Sequence, residues 1–229
     1  FVKVASAVLI GSPPKSSEKV KGGCNKTIKE NHGSFCTAFK PKSGENRSLR
    51  RNSITRVPYY RREVLAYELS ELFGFDIVPM TVEVTVNGEI GSRQLWVPGE
   101  TKQSLDFEQK GLSSALRVQI ARLLFFDVVA GNTDRHCDNW IWDEKRKRLW
   151  AIDNGLCFPK NMHDFRVEIP AYKQPKYYYI DSGPKRDTPD YSEIRWRIHT
   201  ILPKKEIDRL RTVSKPAFMA LFRKYSLSG

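Results

Sequence analysis

The sequence predicts an α+β fold of two lobes, a small β-rich N-terminal lobe that contains one helix and a mainly helical C-terminal lobe. Strand-like segments and an Asn-Gly hairpin turn dominate residues 1–98, where one stretch has the apolar spacing of a helix. Residues 99–229 contain a long apolar helical pattern and further helical patterns near the end. Because 229 residues suffice for two small lobes that share one cleft, we expect lobes 1–98 and 99–229, divided near Gly99.

The first part of the N-terminal lobe is predicted to contain two strands. Short apolar runs predict these strands over residues 4–10 and 34–39. A segment with two adjacent prolines, residues 11–18, predicts a loop, and Gly22-Gly23 predicts a turn between the strands.

A helix and a hairpin complete the predicted N-terminal lobe. Apolar residues at helical spacing predict a helix over residues 61–73, which Gly74 ends. A strand-like run over residues 82–86 and a second run that ends at Val97 flank the pair Asn87-Gly88. Since Asn-Gly accepts the positive φ angles of a tight turn, these two runs predict a β-hairpin.

The C-terminal lobe is predicted to begin with a buried helix over residues 113–129, which is apolar on one face and lacks Pro and Gly. Two short strand-like stretches, 140–142 and 149–152, are separated by a charged turn and therefore predict a second hairpin. Residues rich in Pro and Tyr follow and are expected to be irregular. The last predicted elements are helices over residues 191–201, 204–212 and 215–225.

The chain is strongly basic, with 39 Lys and Arg against 26 Asp and Glu and a formal net charge of +13. Such a charge suits a polyanionic partner, although a soluble basic protein without such a partner has the same composition. No zinc finger, aromatic-rich RNA-binding motif or basic helix occurs, so we expect no nucleic-acid partner. No apolar run of about 18 residues predicts a membrane-spanning helix.

Four cysteines, none of them in a Cys-x-x-Cys pair, argue against a zinc site. Their even number permits two disulfides, and two Asn-x-Ser/Thr patterns begin at Asn25 and Asn46. We expect the protein in the cytoplasm or at a membrane periphery, and a secreted origin stays open. A disulfide between Cys137 and Cys157 also stays open at this stage.

The most informative side chains lie between Gly131 and Gly155. Phosphoryl transfer needs a carboxylate that orients the attacking hydroxyl and hard oxygen ligands that hold Mg²⁺ on the phosphates. Asp134 precedes Asn139 by five residues, which is the spacing of the catalytic Asp and the metal-binding Asn in protein kinases. Asp153 then follows the second hairpin, as a second metal-binding Asp does there. The alternative is that all three are ordinary turn and capping residues.

The N-terminal lobe offers candidates for holding the phosphates. Lys40 ends a predicted strand, and Glu63 lies early in the predicted helix, where the two side chains could pair. The alternatives are a solvated lysine at a strand end and an acidic residue favoured by the helix dipole. Backbone amides of the segment Gly22-Gly23-Cys24-Asn25 could bind phosphate, although Gly-Gly more often marks only a turn.

Segments spread over roughly residues 20–160 resemble the phosphatidylinositol 3- and 4-kinase superfamily, most closely its type II phosphatidylinositol 4-kinases and their compact bacterial relatives. The most specific matches are GNTDRHCDN at residues 131–139 and IDNGLCFP at residues 152–159. The remaining matches, in chain order, are GGCN at 22–25, FKPKSGE at 39–45, REVLAY at 62–67, VP at 78–79 and GSRQLWV at 91–97.

The resemblance implies a protein-kinase-like fold that binds ATP with Mg²⁺, or Mn²⁺ in its place. It implies that Lys40 holds the α- and β-phosphates and that Glu63 braces Lys40. Asp134 would orient the acceptor hydroxyl, and Arg135 would steady either the loop or the γ-phosphate. Further implied roles are phosphate-loop contacts from Gly22, Gly23 and Asn25, adenine contacts from Gln94, Leu95, Trp96 and Val97, and metal ligation by Asn139 and Asp153.

Three functions remain open at the level of the sequence. The first is transfer of phosphate to an anionic phosphoinositide lipid, although residues 48–56 lack the cysteine-rich palmitoylation stretch that lipid kinases of this type carry there. Basic residues in that region, including Arg47 and Arg56, would permit peripheral membrane contact by electrostatics. The second is a protein serine/threonine kinase, and the third is a nucleotide-binding pseudokinase or adaptor. Residues 160–175 are the candidate acceptor segment, and we expect a monomer.

Overall fold

The structure is a computed structural model that describes residues 6–21, 25–46, 57–101, 113–132, 134–135, 138–158 and 202–225. Within these ranges the chain forms eight strands and five α-helices, arranged as two antiparallel sheets with helices packed against them. This is the α+β, kinase-like arrangement that the sequence predicts. The predicted loop glycines Gly22 and Gly23, the basic segment 47–56, the acceptor segment 160–175 and the helix 191–201 lie outside the described residues.

The larger sheet contains five strands: β1 (Ser16–Lys19), β2 (Ile28–Asn31), β3 (Cys36–Pro41), β4 (Thr81–Val86) and β5 (Glu89–Leu95). They pair antiparallel in the order β1-β2-β3-β5-β4. Helix α1 (Ser6–Gly11) packs against β4 and β5, as does helix α2 (Tyr59–Phe73).

Side-chain alternation along β3 separates the two faces of this sheet. Phe39 packs on one face with Leu9 of α1 and Leu95 of β5. Lys40, the next residue along the strand, therefore lies on the opposite face, where it contacts Glu63 of α2. The strand thus delivers one side chain to an apolar cluster and its neighbour to the opposite face, where Lys40, Glu63 and Asp153 line the cleft.

Two predictions for the start of the chain are wrong. Residues 6–11 form helix α1 instead of a strand, because the apolar run there has no alternation and its one fully buried side chain, Leu9, packs on the sheet. Residues 16–19 form the edge strand β1 instead of a loop. All four of its side chains are exposed, so the sequence lacks the alternation of apolar and polar residues that would predict a strand. The lobe also contains β2, which the sequence did not predict, and two α-helices instead of one.

The first predicted hairpin is confirmed. Strands β4 and β5 pair across Asn87-Gly88, whose φ angles of 50° and 78° are the positive values that a tight turn requires. The second strand ends at Leu95, two residues before the predicted end. The predicted helix over 61–73 is also confirmed as α2, which begins two residues earlier, at Tyr59.

The C-terminal elements agree closely with the prediction. Helix α3 (Ser114–Ala130) begins after Ser113, whose side chain accepts a hydrogen bond from the Leu116 amide, and it ends at Gly131 with φ 60°. Strands β6 (Glu100–Thr101), β7 (Trp140–Asp143) and β8 (Arg148–Ala151) form the smaller sheet. Helices α4 (Lys204–Thr212) and α5 (Lys215–Lys224) follow.

The larger apolar core lies between the helices and the smaller sheet. It joins buried residues of α2, α3, β7 and β8 with Phe158 and with Phe222 of α5. Strand β6 follows Gly99 directly and pairs with β7, while the division into lobes 1–98 and 99–229 stays a prediction. None of the helices in the described ranges combines the length and apolar character needed to cross a membrane.

Candidate active site

Lys40, Glu63 and Asp153 meet in the cleft although they come from distant parts of the chain. Lys40 Nζ lies 2.5 Å from Glu63 Oε1 and 2.9 Å from Asp153 Oδ1. Burial alone would lower the pKa of Lys40, but Asp153 and Glu63 outweigh it and raise that pKa above its ordinary value. The lysine is therefore a fixed cation, held between one buried carboxylate on α2 and one half-exposed carboxylate after β8.

The two carboxylates differ in environment. Lys40 lowers the pKa of Asp153, whose side chain is 49% exposed and so open to a ligand. Burial raises the pKa of Glu63, whose side chain is only 2% exposed, against the opposing effect of Lys40. Glu63 therefore holds Lys40 from inside the protein, whereas the Asp153 carboxylate is accessible from the cleft.

The loop that follows α3 carries Asp134 and Asn139. Asn132 Oδ1 accepts a hydrogen bond from the Asp134 amide at 2.9 Å, and the Asn139 side-chain amide donates to the Asp134 carbonyl at 2.8 Å. The backbone of Asp134 is therefore held from both sides. Because an amide nitrogen does not ligate a cation, Oδ1 is the atom that Asn139 can offer, while its Nδ2 is held by this bond.

Arg135 points into the protein. Its side chain is 1% exposed, and Nε lies 3.1 Å from Asp127 Oδ2 while Nη2 lies 3.1 Å from Asp127 Oδ1. The same guanidinium donates to the carbonyls of Asn139 and Ile152 and to Asn154 Oδ1. Of the two roles that the sequence left open for Arg135, these contacts favour steadying the loop over touching a phosphate.

Asp127 is a site residue that the sequence analysis missed. It lies on α3, is 1% exposed and also accepts a hydrogen bond from the Asn132 side chain at 3.0 Å. Burial raises its pKa, while Arg135 and Asn132 act in the opposite direction. The only signal in the sequence was an acidic residue within an apolar helix, which is rarely buried without a partner.

The segment predicted to contact adenine divides between the two faces of the sheet. Gln94 is buried and donates to Thr81 Oγ1 at 2.9 Å, and Val97 is buried as well. The Leu95 side chain packs in the apolar cluster with Leu9 and Phe39, so it is turned away from the face that carries Lys40. Trp96 is 40% exposed, with Lys29 Nζ 4.8 Å from its ring centroid.

Of the predicted phosphate-loop residues, Asn25 is the one that the structure describes. Asn25 Oδ1 accepts a hydrogen bond from the Asn46 amide at 2.8 Å, a contact that caps a loop. Gly22 and Gly23 and the loop residues His136 and Cys137 lie outside the described residues. Cys157 is a fully buried free thiol, and burial raises its pKa well above the ordinary value.

The donors near Asp153 fit a metal that nucleotide phosphates help to hold. Among the described residues, no three His, Cys, Asp or Glu side chains are grouped so that they could hold a metal ion by themselves. Asp153 and Asn139 offer hard oxygen atoms, and the Ile152 amide donates to the Asn139 carbonyl at 3.0 Å, which keeps their two segments adjacent. Mg²⁺ commonly takes one or two protein oxygens and completes its shell with phosphates and water.

Comparisons with known proteins find several sequences that are similar to this chain. The family described as phosphatidylinositol 3- and 4-kinase matches residues 97–227. The chain is 31% identical over 96 residues to phosphatidylinositol 4-kinase LSB6 of Saccharomyces cerevisiae, covering 38% of this chain and 16% of that protein. It is 26% identical over 228 residues to phosphatidylinositol 4-kinase gamma 2 of Arabidopsis thaliana, covering 79% of this chain and 40% of that protein.

A solved structure shares the fold. The proinflammatory kinase CtkA of Helicobacter pylori superposes with a TM-score of 0.53 at 13% identity, covering 95% of this chain and 92% of that one. This likeness confirms the kinase-like fold and is too distant in sequence to indicate more. The chain spans less than half the length of either phosphatidylinositol 4-kinase that it matches.

Proposed function

Because the chain belongs to the phosphatidylinositol 3- and 4-kinase family, we propose that it transfers the γ-phosphate of ATP to a hydroxyl of a phosphatidylinositol headgroup. The observation that carries this proposal is the contact of Lys40 with both Glu63 and Asp153. A lysine held by a buried glutamate beside an accessible carboxylate is the arrangement that phosphoryl transfer requires on the nucleotide side.

The residues of the cleft divide the work of such a transfer. Lys40 neutralises charge on the phosphates, and Glu63 keeps its ammonium group in place. Asp134 accepts a hydrogen bond from the acceptor hydroxyl and orients it for attack. Asn132 and Asn139 hold the backbone of Asp134 in place for this role. Arg135 is a positioning residue here, since its donors are directed into the protein.

Asp153 and Asn139 would hold the divalent cation, which we propose to be Mg²⁺ with Mn²⁺ as the alternative. When bound, the cation would supply positive charge that offsets the charge developing on the phosphate oxygens. Lys40 contacts Asp153 at 2.9 Å in the structure, so this carboxylate already lies beside the group that we expect to hold the phosphates.

The proposed acceptor is an anionic phosphoinositide lipid. Both curated relatives are phosphatidylinositol 4-kinases by name, and a net charge of +13 favours peripheral contact with an anionic membrane surface. An acidic protein would suit the same charge, so a protein serine/threonine acceptor is the second candidate.

Transfer of labelled γ-phosphate from Mg-ATP separates these acceptors. The protein would be incubated with vesicles that contain phosphatidylinositol, with vesicles of equal negative charge that contain phosphatidylserine instead, and with an acidic protein such as casein. We expect label in the lipid fraction of the first vesicles alone. Label on casein in place of the lipid would favour the protein-kinase alternative, and label on none of the three would contradict the proposed transfer.

A further inference from the structure

We propose that Asn154 is a positioning residue for the metal-binding carboxylate: its contacts with Glu63 and Arg135 hold Asp153 in the backbone conformation that places its side chain beside Lys40. This inference rests on the proposed ATP-dependent function, in which Asp153 ligates the cation. It assigns a role to a buried asparagine that itself touches neither the nucleotide-binding lysine nor the acceptor-orienting Asp134.

Asp153 has an unfavourable backbone conformation. Its φ angle is 53°, in the left-handed region that residues with a Cβ atom seldom adopt. A residue stays there only when the surrounding structure fixes it, and such residues gather at functional sites. Contacts around Asp153 must therefore keep it in this conformation.

The peptide groups on both sides of Asp153 are hydrogen-bonded. Before it, Arg135 Nη1 donates to the Ile152 carbonyl at 2.7 Å. After it, the Asn154 amide donates to Glu63 Oε2 at 3.0 Å. Because Glu63 Oε1 also accepts from Lys40, the lysine and the backbone that follows Asp153 share one buried carboxylate.

The side chain of Asn154 completes this arrangement. It is fully buried, its Oδ1 accepts from Arg135 Nη2 at 2.6 Å, and its Nδ2 donates to the Ala151 carbonyl at 3.2 Å. An asparagine side chain supplies the acceptor and the donor that these two partners need, with no charge to bury beside Asp127 and Glu63. The contacts link the helix α2, through Asn154 and Arg135, to Asp127 on α3.

A general loss of structure and a loss of this positioning role have different consequences. Lys40 and the backbone amide of Asn154 bond different oxygens of Glu63, and a change of the Asn154 side chain keeps that amide, so ATP binding without metal should survive the change. Metal binding should not, because Asp153 would be free to leave the left-handed conformation. Changing residues that orient a metal ligand typically lowers metal affinity by about 10–100-fold.

The test measures ATP binding by titration calorimetry in EDTA and at increasing Mg²⁺ concentration, without any acceptor. Asn154→Leu removes both side-chain hydrogen bonds at nearly constant size. Asn154→Ala removes the same two hydrogen bonds without placing a larger apolar group beside Arg135. Asn31→Leu makes the same replacement at an exposed asparagine whose Oδ1 accepts from the Gly33 amide, far along the sheet from the cleft.

We expect the wild type and Asn31→Leu to bind ATP more tightly when Mg²⁺ is present. Asn154→Leu should bind ATP in EDTA like the wild type. It should need about 10–100-fold more Mg²⁺ to reach half of the Mg²⁺-dependent increase in ATP affinity. Asn154→Ala should show the same shift in Mg²⁺ dependence, and it replaces the leucine variant in the test if that variant does not fold. The inference is overturned if Asn154→Leu, or Asn154→Ala in its place, keeps the wild-type Mg²⁺ dependence. No gain in the wild type would overturn the proposed function itself.

Discussion

Replacing Lys40 by methionine is expected to lower the rate of phosphate transfer by about 10²–10³-fold, the usual effect of removing one fixed group that stabilises developing charge. The ammonium group of Lys40 lies within 2.9 Å of both Glu63 and Asp153, so its loss removes the cation of the cleft and leaves Glu63 buried without its partner. The rate would be measured with labelled Mg-ATP and phosphatidylinositol vesicles, and ATP binding would be measured beside it.

Lys42→Met is the matched control, since this lysine lies two residues away in the short turn Lys42–Gly44 with its side chain exposed. It removes the same charge from the protein and should leave the rate near that of the wild type. Equal losses in the two variants would mean that net charge, and not the position of Lys40, determines the rate.

Replacing Asp127 by alanine is expected to lower the free energy of unfolding by about 3–5 kcal/mol, because it leaves the buried Arg135 without its counter-charge. Both side chains are almost fully inaccessible to solvent, and Asp127 accepts two hydrogen bonds from Arg135 and one from Asn132. Denaturant unfolding followed by circular dichroism would measure the change.

Asp208→Ala gives the comparison for an exposed ion pair. Asp208 also lies on a helix and pairs with Lys204 at 2.6 Å, but the two side chains are 44% and 88% exposed. Such a pair contributes about 0–1 kcal/mol, so this variant should unfold almost as the wild type does. A small effect of Asp127→Ala, similar to that of Asp208→Ala, would show that the buried pair does not stabilise the loop.

The elements with strong periodic patterns were predictable from the sequence. Helices α2 and α3 and both hairpins have apolar spacing or turn residues that act locally, so they appear within two residues of their predicted ends. Helix α1 was not predictable, because six residues are too few to show a helical period and Leu9 is buried only through its contact with the sheet.

The candidate site divides in the same way. Lys40, Glu63 and Asp153 could be named from motif spacing and resemblance, and the structure brings the three together. The roles of Asp127 and Asn154 follow from tertiary contacts with Arg135, which lies 8 and 19 residues away in the chain, respectively. No local pattern in the sequence marks such a contact. The sequence also did not show on which face of the sheet the Leu95 side chain lies, because this depends on the register with the neighbouring strand.

The role of Asp134 in phosphate transfer is tested by comparing the wild type with Asp134→Asn in transfer from Mg-ATP to phosphatidylinositol vesicles. Asparagine keeps the size of the side chain and leaves the backbone contacts with Asn132 and Asn139 possible, but it is a poor acceptor for the hydroxyl proton. We expect the variant to bind Mg-ATP like the wild type and to transfer phosphate about 10²–10⁴-fold more slowly. Transfer at the wild-type rate by Asp134→Asn would exclude Asp134 as the residue that orients the acceptor hydroxyl.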